Sequence, residues 1–321
     1  MMNRVLATSF LVVSVAVLHP LQADTLAQQL GFPPDARVLI LNGDDAGMCH
    51  SANQGTIEAL EHGVMTSATV MVPCPWFGAM ADYARRSSAT NLGIHLVHTS
   101  EWRHYRWGPV ASSDLVSSLL DPDGYLWPAV EQVYAHGTPD DALVEGRAQI
   151  RKALAAGIDV THLDSHMGTL QLDVRFVEIY LRLAVEFDLP VRMASQSTLA
   201  GFNQAGMRSR FANAGIVFPD FFVYEELKDE AADVKGFWTR IVKGLPPGVT
   251  ELFVHAAKPT EELQAITGTW RTRGEQYELL ARDAGFRELL DREGIVRISY
   301  RPLRDLQRKL RKDRESQVST P

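Results

Sequence analysis

The feature that most constrains this chain is a series of short apolar runs, each ending in polar or titratable residues and separated by helical patterns. Arg37-Val38-Leu39-Ile40-Leu41-Asn42 is the first, and it runs without alternation into Gly43-Asp44-Asp45. A continuous run of this kind suits a strand buried on both faces, as in a parallel sheet. Asn53 to His62 then places Ile57, Ala59 and Leu60 on one side of a helix that Gly63 ends. Further strands are expected at Ser67–Val72, Leu92–Leu96, Val160–His166, Pro190–Met193, Gly248–His255 and Ile295–Tyr300. Helices are expected at Phe77–Arg86, Asp140–Ala156, Val174–Phe187 and Arg282–Glu293. This alternation predicts an α/β architecture with parallel strands. The titratable residues fall where strands end, and carboxyl ends of parallel strands are where such folds carry their chemistry.

The first 23 residues read as a leader rather than as fold. Arg4 precedes an apolar run from Val5 to Val17, and Leu21-Gln22-Ala23 forms a small-residue cleavage site before Asp24. The expectation is a signal peptide over 1–23, with a retained anchor as the alternative, and a single domain over 24–321 in the periplasm or secreted. No other segment is apolar enough to span a membrane. A net charge of -7 argues against a general nucleic-acid binder. The one basic cluster, Arg301 to Arg314, has acids mixed into it and reads as a solvated helix or tail. Cys49 and Cys74 sit near the ends of successive strands, and either a disulfide or two buried thiols fits them. A homodimer is compatible with the composition.

Three constellations carry chemistry. Asp44-Asp45 follows an apolar strand, and two adjacent carboxylates raise each other's pKa unless a cation holds one ionised. The other is then free to act as a general base; the alternative is a pair capping the next helix. His95 lies in Gly93-Ile94-His95-Leu96, where a buried structural imidazole is the alternative. In Thr161-His162-Leu163-Asp164-Ser165-His166, three polar residues recur at period two, which puts them on one strand face in need of partners. Asp45, His95 and His166 together supply one carboxylate and two imidazoles, a ligand set used by catalytic zinc and by non-haem iron. Asp164 and His162 fit behind those ligands, with Asp164 orienting a histidine. His255, at the end of a late strand, is a candidate general acid or a capping histidine.

Thr99 to Pro128 lacks a regular period and is rich in aromatic residues. Trp102, Tyr105, Trp107, Tyr125 and Trp127 are candidates to stack on sugar rings, with Arg103 or Arg106 bonding hydroxyls; a packed surface loop is the alternative.

Leu41-Asn42-Gly43-Asp44-Asp45-Ala46-Gly47, with Ser51, Asn53, Gly55, Glu58-Ala59, Gly63 and Thr66-Ser67-Ala68-Thr69, resembles the YdjC/ChbG-like carbohydrate deacetylases. So do Gly93 to Leu96, Asp123-Gly124-Tyr125, Thr161 to His166, Thr250 to His255 and Gly294-Ile295, in the same order. The resemblance implies a (β/α) barrel-like fold related to the TIM barrel, with seven strands as one form of it. It implies a divalent metal, zinc or magnesium, on Asp45, His95 and His166, with Asp44 as base and His255 as acid. The implied reaction removes N-acetyl groups from a sugar or oligosaccharide. A sugar-binding protein on the same scaffold and a metal-dependent esterase are the rivals. Two departures stand out: Met167 follows His166 where the family often has another histidine, and Ala256-Ala257 follows His255 in place of Pro-Gly.

Overall fold

A computed structural model describes residues 24–87, 90–202, 204–223 and 233–318. The expected leader, 1–23, lies outside the described residues. Among those described, no helix is long and apolar enough to cross a membrane.

Among the described residues seven strands form one sheet: β1 (Arg37–Ala46), β2 (Ser67–Val70), β3 (Leu92–Leu96), β4 (Leu163–Ser165), β5 (Phe221–Val223), β6 (Gly248–Val254) and β7 (Val296–Arg297). Their order is β4-β3-β2-β1-β6-β5, every pairing is parallel, and β7 pairs with the start of β1. Past β4 the backbone keeps curving. Leu163 bridges Val191, and the Val191 N–H donates to Val217 O. The result is the expected barrel-like α/β fold. The expected strand at Pro190–Met193 is present only as this extended, singly bridged segment.

Alternation along β1 sorts the core. Val38 and Ile40 point into the barrel, where they meet Val249, Tyr300 and Leu303. Leu39 and Leu41 point outward into the larger cluster between sheet and helices. That outer layer includes the helices Phe77–Arg86, Pro139–Ala155 and Val174–Phe187, all close to expectation. Thr138 caps the second of these, with Pro139 in its first turn; Asp173 caps the third. The two pack closely because Gly146 has no side chain: a Cβ there would stand 2.5 Å from Leu183 Cδ1. The stretch Thr99–Pro128 is irregular, as expected, and buried Glu145 ties it down by accepting the backbone N–H groups of Val110 and Ala111.

The basic C-terminal stretch is a helix, Arg301–Val318, and its first turns are docked rather than free. Arg304 is buried and donates to Asp159 and to Val160 O, while Gln307 bonds Asp188 and the Val217 N–H. These contacts close the end of the barrel where the strands begin. Cys49 and Cys74 are both free, buried thiols.

Candidate metal centre and active site

The site begins with an irregularity in β1. Its register against β2 runs through Asn42 and Gly43 and resumes at Ala46, so Asp44-Asp45 is a bulge. Asp44 faces inward by the same alternation as Ile40 and Asn42. A regular strand would turn Asp45 outward. Instead Asp45 adopts a left-handed φ of 63°, and both carboxylates line one cavity of about 580 Å³.

Asp45 meets two imidazoles there. Its Oδ1 lies 3.3 Å from His95 Nε2 and 3.4 Å from His166 Nδ1, and those two nitrogens are 3.2 Å apart. All three residues are buried, Asp45 Oδ1 has no hydrogen-bond partner, and Oδ2 is ion-paired with Arg273 at 2.8 Å. A near-equilateral triangle of buried ligand atoms that includes the unbonded Asp45 Oδ1 fits a small divalent cation. Tetrahedral sites with ligand distances of about 2.1 Å have edges of roughly 3.4 Å. The sequence-expected trio is thus brought together, one residue from each of β1, β3 and the end of β4.

Each imidazole has a carboxylate behind it. His95 Nδ1 is 2.6 Å from Asp164 Oδ1, whose other oxygen accepts from Thr69 Oγ1. His166 Nε2 is 3.0 Å from Glu101 Oε1. These contacts aim the opposite ring nitrogen at the centre. Burial lowers the proton affinity of both rings, but Asp164 and Asp44 outweigh it at His95, raising its pKa to about 10. Glu101 does the same at His166, to about 9. His162 lies deeper on the same inner face. Its Nε2 meets Asn42 Oδ1, its ring stacks on Tyr300 at 3.7 Å, and it does not touch the trio. Gly93 makes room for that ring, since a Cβ would stand 2.5 Å from it.

Asp44 is held by Arg192, whose Nη1 and Nη2 each lie 2.7 Å from one of its oxygens. Burial raises the Asp44 pKa, but the Arg192 charge and hydrogen bonds outweigh this and bring it to about 2. The same guanidinium donates through Nε to Glu251 Oε1 and lies 3.2 Å from Asp164. Burial lifts Glu251 to about 7 against the pull of Arg192, and Tyr300 donates to its other oxygen. His255 Nε2 stands 3.9 Å from Asp45 Oδ2, and Arg273 Nη2 stands 2.8 Å from the same atom. Burial and the Arg273 charge push His255 down to about 4. Asp45 is held well below the carboxylate range, because Arg273 and its other neighbours outweigh burial.

The family described as YdjC-like protein matches residues 38–292. A carbohydrate deacetylase of Thermus thermophilus is 31% identical over 249 residues, 76% of this chain and 86% of its own. One from Thermoanaerobacter pseudethanolicus is 25% identical over 244 residues, covering 76% and 90%. The crystal structure of a protein from Enterococcus faecalis V583 superposes with a TM-score of 0.72 at 26% identity, covering 84% of this chain and 99% of that one. The chain belongs to the YdjC-like family.

In this YdjC-like chain the aromatic loop is placed differently from a shared sugar platform. Of its candidates, Trp102 lines the cavity. Trp107 is 3% exposed, packs edge-on against Trp102 and donates Nε1–H to Thr99 O. Tyr105 donates to Met48 O, and Tyr125 lies under Arg106 away from the cavity lining. Arg106 is spent on Asp121, Leu126 O and Ser100. Trp127 stacks on His136. The reason is local: this loop has its own backbone donors and acceptors to satisfy, and these side chains satisfy them.

Sequence reasoning missed Glu101, Arg192, Glu251 and Arg273. For Glu251 a signal existed, because Val249, Glu251, Phe253 and His255 recur at period two along β6, like His162, Asp164 and His166. Arg192 sits between apolar neighbours in Pro190-Val191-Arg192-Met193, and a charge there needs partners. Glu101 and Arg273 carry no such signal.

Proposed function

We propose that the protein is a metal-dependent hydrolase that removes the acetyl group from an N-acetylated sugar. The single observation that carries this is the Asp45–His95–His166 triangle beside Asp44 in one cavity. The named deacetylase activity of similar proteins supports it. The donor set of two imidazoles and one carboxylate favours zinc or a similar transition ion over magnesium, which prefers oxygen ligands. Such a cation would acidify a water and polarise the acetyl carbonyl.

The remaining work belongs to side chains. Water adds to the carbonyl carbon, and its proton passes to Asp44, which Arg192 keeps ionised and aimed. The C–N bond then breaks, leaving acetate and a free amine. His255, across the site, delivers a proton to the departing nitrogen. Its low proton affinity makes the charged ring a strong acid, though a scarce one at neutral pH. Arg273, beside Asp45, adds positive charge where negative charge develops.

Metal analysis of the purified protein combined with an acetate-release screen over N-acetylated sugars tests this. Chelation should abolish release and zinc should restore it. Asp44→Asn should keep its metal and lose about 100-fold or more in rate. Full activity in a metal-free protein, or wild-type rate in D44N, would overturn the assignment.

A further inference from the structure

Besides Trp102, Phe222, Trp238 and Phe253, two chain segments of opposite polarity line the cavity. Residues 267–276 bring Thr267, Thr269, Thr272, Arg273 and Gln276 to its lining. Residues 167–207 bring Met167, Leu172, Leu199, Phe202 and Met207. The polar groups on this second side are largely committed elsewhere, Arg192 to Asp44 and Glu251 among them. Gln171 Nε2 donates to Arg192 O and Ser165 Oγ accepts from the Leu170 N–H, which leaves Thr198 among the described residues.

The apolar side also opens to water. Phe202 is 52% exposed, Met167 51% and Leu172 43%. Three large apolar side chains bordering one cavity mark a binding surface for something apolar. Met167 also holds a left-handed φ of 53°, a conformation costly for a residue with a long side chain.

We propose that the substrate is an N-acylated amino sugar bearing a hydrocarbon chain, with the sugar against the threonine-rich segment and the chain on Met167, Leu172, Leu199, Phe202 and Met207. This rests on the deacetylase assignment and narrows its substrate class. A second sugar ring on the apolar side would lose hydration of its hydroxyls and find few groups to replace it, chiefly Thr198 and the Trp238 indole N–H. A hydrocarbon there gains about three- to fourfold in affinity per buried methylene. The chain has two attachment points: the anomeric oxygen, which leaves acetate as the product, and the amide carbonyl, where the same hydrolysis would release a longer carboxylate in place of acetate.

Two substrate series separate them, run with the metal-loaded full chain: alkyl glycosides of N-acetylglucosamine from methyl to octyl, and N-acyl glucosamines from acetyl to octanoyl. In one series kcat/KM should rise at least about tenfold from the shortest to the longest member, and that series identifies the attachment point. Phe202→Ser and Met167→Ser should bring the long-to-short ratio back toward one, with unchanged melting temperature because both side chains are half exposed. A flat response in both series overturns the proposal while leaving the deacetylase intact. If no member of either series is hydrolysed, the deacetylase assignment fails instead. Calorimetry with the D44N protein then decides the chain separately: tighter binding of the octyl glycoside or the octanoyl amide than of its short congener supports it, and equal affinities reject it.

Discussion

Arg192 grips Asp44 at two points, Nη1 to Oδ2 and Nη2 to Oδ1, both at 2.7 Å and between two buried residues at the cavity wall. The same side chain is the one cation facing Asp44, Asp164 and Glu251 together among the described residues. Removing it takes the close cation from Asp44 and Glu251 and leaves Asp164 with His95 alone as a cationic partner. Arg192→Met should cost about 3–5 kcal/mol of stability, read from urea unfolding of the metal-free protein. A loss below about 1 kcal/mol would mean that the acids find other compensation.

Metal uptake should release protons. With His95 raised to about 10 and His166 to about 9, both rings are charged at pH 7 when no cation is bound. An imidazolium cannot ligate, so binding must displace close to two protons. Affinity should therefore climb with pH by roughly 100-fold per unit near neutrality and level off above the range of the two rings. Calorimetry in buffers of different ionisation enthalpy counts the protons, and zero release would contradict the charge state.

Glu101 acts on His166 from the side away from the centre. Glu101→Gln keeps the shape and removes the charge. Metal affinity measured above the range of the two rings, where no proton competes, should fall about 10–100-fold, read by chelator competition. Proton release should also drop toward one, because His166 loses the partner that keeps it charged.

The two tryptophans should separate stability from binding. Trp107 is buried behind Trp102, so Trp107→Ala should cost about 3–5 kcal/mol. Trp102 lines the cavity, so Trp102→Ala should raise KM with a much smaller change in melting temperature. Equal effects on both quantities in the two variants would count against this division.

Much of the site could be read along the chain because a strand repeats every two residues. His162, Asp164 and His166 announce one face of β4 and its extension without any coordinates. The helices Phe77–Arg86 and Val174–Phe187 were legible for a similar reason, as each carries a clear apolar stripe and a definite end. Gln196–Gly201 and Met207–Asn213 were not, since helices this short carry little local pattern and packing outweighs it.

Sequence alone determined the alternation of buried strands and amphipathic helices, and with it the parallel sheet whose carboxyl ends gather Asp44, Asp45, His95, His166 and His255. Those are consequences of local periodicity. The tertiary structure decided what periodicity cannot encode: that a left-handed residue turns Asp45 to the same side as Asp44, that Arg192 and Glu101 arrive from distant segments, and that Trp107 is packing while Trp102 faces the cavity. Each depends on which side chains meet across the barrel, and contacts between residues far apart in the chain leave no regular trace in its order.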